Sequence, residues 1–356
     1  MNDMILEADR FSPSGLGFRM PAEWEPHARC WMAWPCHPEI WEGRIKDVRR
    51  GYAGVAHAIR QFEPVTMVVS PEDHENARTL LDPSIDILEI PLTDSWTRDT
   101  GPCFVINAQG DLGGVDFRFN AWGGNYEPHD KDALLARRIL DHLGLPVFSS
   151  TLTCEGGAIT VDGEGTLITT ETCLLNPNRN PGWTRDEIDR ELKRLLGVEK
   201  VIWLPGNEDE DETNGHVDGV GVFVRPGLVL MERSPDPDAS FARIMAENVK
   251  AMEGQTDARG RPIELAFCDE AQSIPEDGDR FCRSYVNSYI ANGGVVIPSY
   301  GISEDDWAFE TFAKLFPDRK IVSVPVNDIA IGGGGIHCIT QQEPLTRASK
   351  PTGQSS

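Results

Sequence analysis

The chain has 356 residues, of which 40% are hydrophobic, and its 57 acidic and 33 basic residues give a formal net charge of −24. This length allows one large or two ordinary globular domains, and no segment approaches the roughly 18 consecutive apolar residues of a membrane span. The negative charge excludes nucleic acids and anionic membrane surfaces as partners, because both bind basic surfaces; it suits a small cationic substrate or serves only solubility.

The cysteines and the two ends of the chain indicate where the protein works. Eight cysteines without any Cys-x-x-Cys pair predict reduced thiols and no disulfide framework. The first dozen residues lack the basic start and apolar stretch of a signal peptide, so we expect a cytoplasmic protein. We expect a single catalytic domain over 1–356, in which 1–18 and 345–356 are flexible ends.

Five similar units follow one another along the chain. Helical periodicity predicts helices at 44–61, 131–143, 184–196, 238–253 and 305–315, the third with a capping box of Thr184 and Glu187. Each helix precedes a short strand rich in β-branched residues: Val65–Ser70, Val147–Ser150, Val201–Pro205, Ile263–Phe267 and Ile321–Val326. Four units then continue into hairpins, whose turns lie at Asn107–Asp111, Asp162–Gly165, Arg225–Gly227 and Asn292–Gly294.

The fifth hairpin is predicted to be split between the two ends of the chain. Its halves would be Cys30–Pro35 and Ile336–Thr340, so that the chain closes on itself. Repeated units arranged radially predict an α/β fold, a five-bladed pseudo-symmetric α/β propeller of five ββαβ-like units. A doubly wound parallel sheet is the rival, weakened because no glycine-rich nucleotide fingerprint opens any helix.

Unusual polar residues recur at the entry to each predicted hairpin. Equivalent positions in a ring face one axis, so five distant segments are expected to deliver carboxylates, a histidine and a thiol to one cavity. These segments are Trp96–Pro102, Cys154–Gly157, Glu212–Gly219, Tyr285–Asn287 and Gly332–Cys338.

Each of these residues also has a plain structural interpretation. Asp99 could form a turn ion pair with Arg98, and Glu155 could be an ordinary loop acid. His216 and Asp218 alternate on a predicted strand and would point to one face, although such a pair is often idle. Cys338 differs from the other seven cysteines, which we interpret as small core residues, because four glycines closely precede it and permit close ligand approach.

This combination of groups suits a guanidinium substrate. A guanidinium ion is planar and offers donors in a fork that carboxylates match, so two carboxylates would hold it. A thiolate attacks the central carbon better than a hydroxyl does. His216 would protonate the departing ammonia and then take a proton from water, while Asp218 positions the imidazole or the substrate. The reaction requires no metal and no organic cofactor.

These motifs resemble the agmatine deiminase family, within the guanidino-group-modifying enzymes and alongside the bacterial peptidylarginine deiminases. The resemblance covers about residues 19 to 343 and lies in six motifs: Arg19-Met-Pro-Ala-Glu-Trp-Glu-Pro-His, Trp96-Thr-Arg-Asp-Thr-Gly-Pro, Phe119-Asn-Ala-Trp-Gly-Gly, Cys154-Glu-Gly-Gly, Asp211-Glu-Thr-Asn-Gly-His-Val-Asp and Gly333-Gly-Gly-Ile-His-Cys-Ile-Thr-Gln-Gln. It implies the five-bladed propeller called a pentein, hydrolysis of agmatine to N-carbamoylputrescine and ammonia, and a homodimer or higher homo-oligomer.

The resemblance also implies a role for each matching residue. Cys338 would be the nucleophile and His216 the acid and base, supported by Glu155. The residues expected to bind substrate are Trp96, Asp99, Glu212, Asp218 and Gly335, with Glu212 receiving the far ammonium group. Two departures affect the pocket: Gly335 stands where the family usually has Asn, and Asn125–His129 replaces the usual acidic and aromatic run.

Three alternatives remain open at this point. Arginine, a peptidyl-arginine or another guanidino compound could be the substrate, but a substrate carboxylate needs a cation, and between Gly101 and His129 only Arg118 is basic. His216, Asp218 and a distant histidine such as His337 could instead form a non-haem iron site. A non-catalytic module that binds polyamines is the third possibility.

Overall fold

The computed structural model describes residues 11–38, 41, 43–207, 212–239, 241–274 and 280–346. Five longer helices confirm the five predicted ones: Ile45–Arg60, Leu135–Leu143, Arg185–Leu196, Ala242–Met252 and Glu304–Leu315. The capping box of Thr184 and Glu187 is present. Shorter α-helical segments are His74–Leu80, Thr97–Thr100, Ala121–Gly124, Glu171–Leu174 and Asn327–Ala330, and 3₁₀ turns are Pro71–Asp73, Asp132–Leu134, Gly156–Ala158 and Val217–Gly219.

The described strands form five small sheets, which makes the fold mixed α/β. In chain order they are β1 His27–Ala33, β2 Val65–Val69, β3 Asp86–Glu89, β4 Cys103–Ile106, β5 Leu112–Arg118, β6 Val147–Thr153, β7 Thr160–Val161, β8 Thr166–Thr170, β9 Lys200–Leu204, β10 Gly221–Arg225, β11 Leu228–Arg233, β12 Glu264–Asp269, β13 Tyr289–Ala291, β14 Gly294–Ser299, β15 Lys320–Pro325 and β16 Gln341–Pro344.

Four of these sheets share one topology. An antiparallel hairpin is followed by a helix and then by a strand parallel to the second hairpin strand, in the orders β4-β5-β6, β7-β8-β9, β10-β11-β12 and β13-β14-β15. In the third of them, β11 and β12 stay in register from Leu228 opposite Glu264 to Arg233 opposite Asp269. A parallel strand requires a crossover connection, and the helix supplies it.

The fifth sheet joins the two ends of the described chain. Strand β1 pairs antiparallel with β16 and parallel with β2, and β3 extends the sheet. The predicted split hairpin is therefore confirmed, but Ile336–Thr340 is wrong as its second strand, because β16 begins at Gln341. Those five residues form a turn instead, in which the Thr340 hydroxyl lies 2.9 Å from Ile336 O and 3.0 Å from His337 O.

The helices cover the sheets with one apolar face each. On Arg185–Leu196 the buried residues Ile188, Leu192, Leu195 and Leu196 follow helical spacing, and Gly197 ends the helix in the left-handed conformation at φ 64°. No helix among the described residues combines the length and the apolar content that crossing a membrane would require.

The expected flexible ends lie mostly outside the described residues, since 1–10 and 347–356 are not described. Residues 11–18 form turns against the helix Arg185–Leu196, where the Ser14 amide donates to Arg194 O at 3.1 Å. Phe18, at the end of this segment, is buried.

The five loops that precede β4, β7, β10, β13 and β16 meet at one place. The Arg98 amide donates to Cys338 O at 3.1 Å, and the His337 amide donates to the Asn287 side-chain oxygen at 3.0 Å. The Gly157 amide donates to the Asp99 carboxylate at 3.0 Å. The fold therefore brings the polar hairpin-entry segments together.

Candidate active site

Cys338 lies partly exposed in the loop after the glycine run. Asn287 Nδ2 donates to its Sγ at 3.1 Å, and Sγ is 3.6 Å from Asp218 Oδ2. Burial raises the pKa of this thiol well above its ordinary value, and the nearby Asp218 and Asp99 add to the shift. The thiol is therefore protonated at neutral pH while these carboxylates face it without a bound cation.

His216 lies across the site with a carboxylate near each ring nitrogen. Its Nε2 is 3.2 Å from Glu155 Oε2, and its Nδ1 is 3.7 Å from Asp99 Oδ1. Burial alone would lower the pKa of His216, but the surrounding groups, Asp99 and Glu155 among them, raise it well above its ordinary value. The histidine therefore carries a proton that it could give to a leaving group.

The prediction that His216 and Asp218 alternate on a strand is wrong. His216 directly precedes the 3₁₀ turn Val217–Gly219, and β10 begins only at Gly221. The turn is favoured because Gly215, which directly precedes His216, takes φ 84°. Both side chains are still buried and lie near Asp99.

Glu155 is a fully buried member of the site and not an ordinary loop acid. Its Oε1 accepts from Arg179 Nε at 2.9 Å, and its Oε2 also accepts from the Cys173 thiol at 3.7 Å. Burial opposes its ionisation, but His216 and Arg179 bring the pKa of Glu155 down to about 2. It is therefore an ionised support for His216.

Asp99 and Asp218 are buried carboxylates with different partners. Asp99 accepts from Trp122 Nε1 at 3.0 Å as well as from the Gly157 amide, and Asp218 accepts from His337 Nδ1 at 2.7 Å. Burial, with Asp218 and Glu155 as like charges, raises the pKa of Asp99 to about 6 against the opposing effect of His216. Burial also opposes the ionisation of Asp218, but His337 lowers its pKa below the ordinary value.

The alternative interpretation of Asp99 as a turn ion pair fails, because Arg98 turns away from it. Arg98 Nη1 donates to Gln341 Oε1 at 3.0 Å and lies 3.6 Å from Glu23.

Gly157 lies where the acid and base groups converge. A Cβ at this position would be 2.5 Å from His216 Nδ1, 2.9 Å from Asp99 Oδ1 and 3.0 Å from Asp218 Oδ2. Any side chain would push these groups apart, so the close approach requires glycine.

A narrow pocket leads from the surface to Cys338. Trp96 and Trp122 line it, together with Asp99, Glu212, Thr213, Arg280, Gly332, Gly333 and Gly334. Glu212 and Arg280 form an ion pair at the mouth, where their side chains are 30% and 65% exposed. Asp211, which precedes Glu212 in the sequence motif, lies outside the described residues.

Two of the predicted substrate-binding residues, Asp218 and Gly335, do not line the pocket, although Asp218 lies 3.6 Å from the Cys338 Sγ. Gly335 is buried against Asn287, where an added Cβ would lie 2.6 Å from Oδ1. The predicted residues that the structure brings together are Trp96, Asp99, Glu155, Glu212, His216, Asp218 and Cys338.

The alternative iron site does not form among the described residues. His337 uses its Nδ1 on Asp218 and its Nε2 on Glu23, so neither nitrogen is directed at a shared ion. The described residues bring together one other donor set, that of Glu155, Cys173 and His216, whose atoms lie within 4.8 Å of one another. Because Arg179 and His216 already bind the Glu155 carboxylate, we interpret this set as a hydrogen-bonded cluster and not as a metal centre.

Sequence reasoning missed several residues that touch this site. Asn287 stood in a hairpin-entry segment but received no role, although it contacts the nucleophile. Trp122 belonged to a quoted motif, and its indole binds Asp99. Arg179 and Arg280 carried no local signal, since their acidic partners are 24 and 68 residues away. Arg280 lies far outside residues 101–129, the stretch in which the sequence predicts a cation near the pocket to be absent.

The geometry defines a class of site: a thiol and a protonated imidazole beside two buried carboxylates. Such a site binds a planar cation and attacks it covalently.

Comparisons with known proteins agree with this class. The family model described as Porphyromonas-type peptidyl-arginine deiminase matches residues 19–344. The agmatine deiminases of Ectopseudomonas mendocina and Pseudomonas aeruginosa are each 44% identical to this chain, covering 95% and 94% of it and 98% of their own length. The solved agmatine deiminase of Enterococcus faecalis superimposes with a TM-score of 0.90 at 40% identity, covering 94% of this chain and 97% of that one. The chain therefore belongs to the Porphyromonas-type peptidyl-arginine deiminase family.

Proposed function

We propose that this protein hydrolyses agmatine to N-carbamoylputrescine and ammonia through a covalent intermediate on Cys338. The observation that carries the proposal is the meeting of the Cys338 thiol, His216 and the carboxylates of Asp99 and Asp218 at one pocket end. Two buried carboxylates match the charge and the donor fork of a guanidinium ion. The agmatine deiminases among its relatives support the choice of substrate.

The first half of the reaction forms the intermediate. The bound guanidinium adds a positive charge beside Cys338, which favours its thiolate, and the thiol proton passes to solvent. The thiolate attacks the central guanidinium carbon and forms a C–S bond. His216 gives its proton to one amino nitrogen, which leaves as ammonia as its C–N bond breaks.

The second half releases the product. His216, now neutral, takes a proton from water, whose oxygen attacks the same carbon. The C–S bond breaks, the added hydroxyl group becomes the urea carbonyl of N-carbamoylputrescine, and its proton passes to the sulfur and restores the thiol. Glu155, fixed by Arg179, holds the imidazole in place through both steps. The atoms balance without any cofactor.

The tail of the substrate is the less constrained part of the proposal. Glu212 would receive the ammonium group of agmatine at the pocket mouth, and Trp96 and Trp122 would flank the methylene chain. Arg280 beside Glu212 provides a cation for the carboxylate of arginine or a peptidyl-arginine, which makes such a compound the second candidate substrate.

We also propose the wider setting of this activity. The repeated sheet topology, the pairing of β1 with β16 and the meeting of five loops support a five-bladed propeller formed by one domain over 1–356. The eight cysteines, all of which are thiols in the structure, support a cytoplasmic protein. The family resemblance supports a homodimer or higher homo-oligomer, which the mass in solution would test.

The test compares ammonia release from agmatine, arginine, a peptidyl-arginine and free guanidine with the same enzyme. We expect agmatine to give the highest kcat/KM, and Cys338→Ala to bind agmatine while its turnover falls to background. Cys282→Ala is the matched control, because Cys282 is also partly exposed and lies outside the set of residues that line the pocket. A fully active Cys338→Ala variant would refute the mechanism, and higher kcat/KM for arginine would refute the substrate.

A covalent probe checks the intermediate independently. A halo-amidine should add one label per chain, and peptide mapping should place it on Cys338. Labelling of Cys282 instead would contradict the assignment.

A further inference from the structure

His337 lies directly before the nucleophile and has a carboxylate on each side of its ring. Nδ1 is 2.7 Å from Asp218 Oδ2, and Nε2 is 2.8 Å from Glu23 Oε1. The imidazole is only 2% exposed, so water does not replace either contact. An ionised carboxylate only accepts hydrogen bonds, and a neutral imidazole has one N–H, so two such contacts together require the imidazolium form.

The contacts of Glu23 continue this alternation of charges. Its side chain is 12% exposed, and Arg98 Nη1 lies 3.6 Å from its Oε1. Arg98 is itself buried and also donates from Nε to His337 O at 3.4 Å. His27 is a further titratable group near Glu23, and its Nε2 lies 2.8 Å from Glu23 O. A buried row therefore runs from Asp218 through His337 and Glu23 to Arg98, with negative and positive charges in turn.

Asp218 depends on this row because its other near neighbours are mostly acidic. Asp99 is a like charge close by, and the Cys338 Sγ lies 3.6 Å from Asp218 Oδ2. The cations that face Asp218 are His337, His216 and, farther away, Arg98. Of these, His337 makes the hydrogen bond. A buried carboxylate without such a partner takes up a proton and loses its attraction for a cation.

We propose that His337 is a positioning residue that stays an imidazolium between Asp218 and Glu23 and so keeps Asp218 ionised and oriented toward the substrate. This inference rests on the proposed binding of a guanidinium ion by Asp218. Glu23 is the second member of the device, which gives a function to the Arg19–His27 motif near the start of the chain. The directions of the pKa values agree, since that of Asp218 is lowered, that of His337 is raised and that of Glu23 falls to about 2.

The test uses His337→Asn, because an Asn amide nitrogen takes approximately the place of Nδ1 and keeps a neutral hydrogen bond to Asp218. The positive charge is lost. We expect kcat/KM for agmatine at neutral pH to fall about 10²-fold, as for other misplaced reacting groups. The acidic limb of the pH profile of kcat/KM should move to higher pH, because Asp218 then binds a proton more readily.

His27→Gln is the matched control. His27 is also buried, and its Nδ1 lies 3.1 Å from the Glu63 carboxylate. Its Nε2 contacts the backbone carbonyl oxygen of Glu23. His27 does not contact Asp218. We therefore expect His27→Gln to lower the stability of the protein and to leave the acidic limb of the kcat/KM profile at the pH of the wild type. A His337→Asn variant whose kcat/KM at neutral pH and acidic limb both match those of the wild type would overturn the proposal.

A measurement on the wild type removes the dependence on variant folding and on activity. The ring nitrogens of His337, assigned through the backbone of uniformly labelled protein, should both carry protons at pH 8 in nuclear magnetic resonance spectra. A neutral His337 ring at pH 8 refutes the proposal even if agmatine is hydrolysed. If the wild type releases no ammonia from any guanidino compound, the proposed function fails, and the spectra still decide the state of His337.

Discussion

The two ends of the pocket are built differently. At the inner end, Asp99, Glu155 and Asp218 are all buried, and each accepts at least one hydrogen bond from another sequence segment. At the mouth, Glu212 and Arg280 are 30% and 65% exposed and form an ion pair with each other. The inner end is held by contacts among five loops, whereas two solvated side chains define the charge of the outer end.

This difference indicates that the inner end carries out the reaction and that the mouth selects the substrate. Charges in a buried network interact strongly and tolerate little displacement, whereas water weakens each charge at the mouth. One of the two departures from the usual family motifs, Asn125–His129, also lies toward the outer part of the site, where Asn125 Nδ2 donates to Glu212 O at 2.8 Å. Substitutions at the inner end should therefore remove activity, and substitutions at the mouth should change which guanidino compound is preferred.

The largest expected effect comes from Gly157→Ala. The new Cβ would lie 2.5 Å from His216 Nδ1 and 2.9 Å from Asp99 Oδ1, so these groups must move. We expect kcat/KM for agmatine to fall by more than about 10²-fold, because a displacement of about 1 Å is sufficient for such a loss. Gly219→Ala is the control, since its Cβ meets nothing within 4 Å. Similar kinetics for the two variants would show that the inner end is less rigid than the structure indicates.

The second prediction concerns the pH dependence of the inner end. Burial raises the pKa of Asp99 to about 6, so Asp99 is ionised above this pH and protonated below it. A protonated Asp99 no longer attracts a cation, and agmatine affinity should therefore fall as pH decreases through about 6, up to about tenfold per pH unit. Calorimetric titrations of Cys338→Ala with agmatine measure this affinity at a series of pH values from about 5 to about 8, spaced by about one pH unit.

The matched variant for that titration is Asp99→Asn in the same Cys338→Ala background. It should bind agmatine weakly across the range and show little change near pH 6. An unchanged pH dependence in Asp99→Asn would assign the titration to another group.

The sequence predicted the inner end better than the mouth for a physical reason. Asp99, Glu155, His216 and Cys338 occupy equivalent places in repeated units, so the repeat pattern alone predicts that they meet. Arg179 and Glu23 support them across long sequence separations, and nothing in the local sequence indicates which carboxylate or imidazole each will contact. Strand alternation also misplaced His216 and Asp218, because it assumes an extended backbone where the preceding glycine allows a turn.

The smallest expected effect is that of Arg280→Ala at the mouth. Arg280 pairs with Glu212, so it repels the ammonium tail of agmatine and attracts the carboxylate of arginine. In a solvated setting a charge about 4 Å away contributes about 1 kcal/mol, or roughly fivefold. We therefore expect the ratio of kcat/KM for agmatine to that for arginine to rise about fivefold in Arg280→Ala. The change should shrink at high salt, because ions screen exposed charges.

Glu212→Gln is the reciprocal variant and makes the comparison of the two ends quantitative. It leaves Arg280 without its ionised partner, so the ratio should move toward arginine while ammonia release from the guanidinium group itself continues. If both variants left the ratio unchanged, the ion pair would have no part in choosing the tail, and selectivity would have to come from the aromatic walls of Trp96 and Trp122. If either variant abolished turnover of both substrates, the mouth would belong to the same rigid network as Asp99 and Asp218, and the distinction between the two ends would fail.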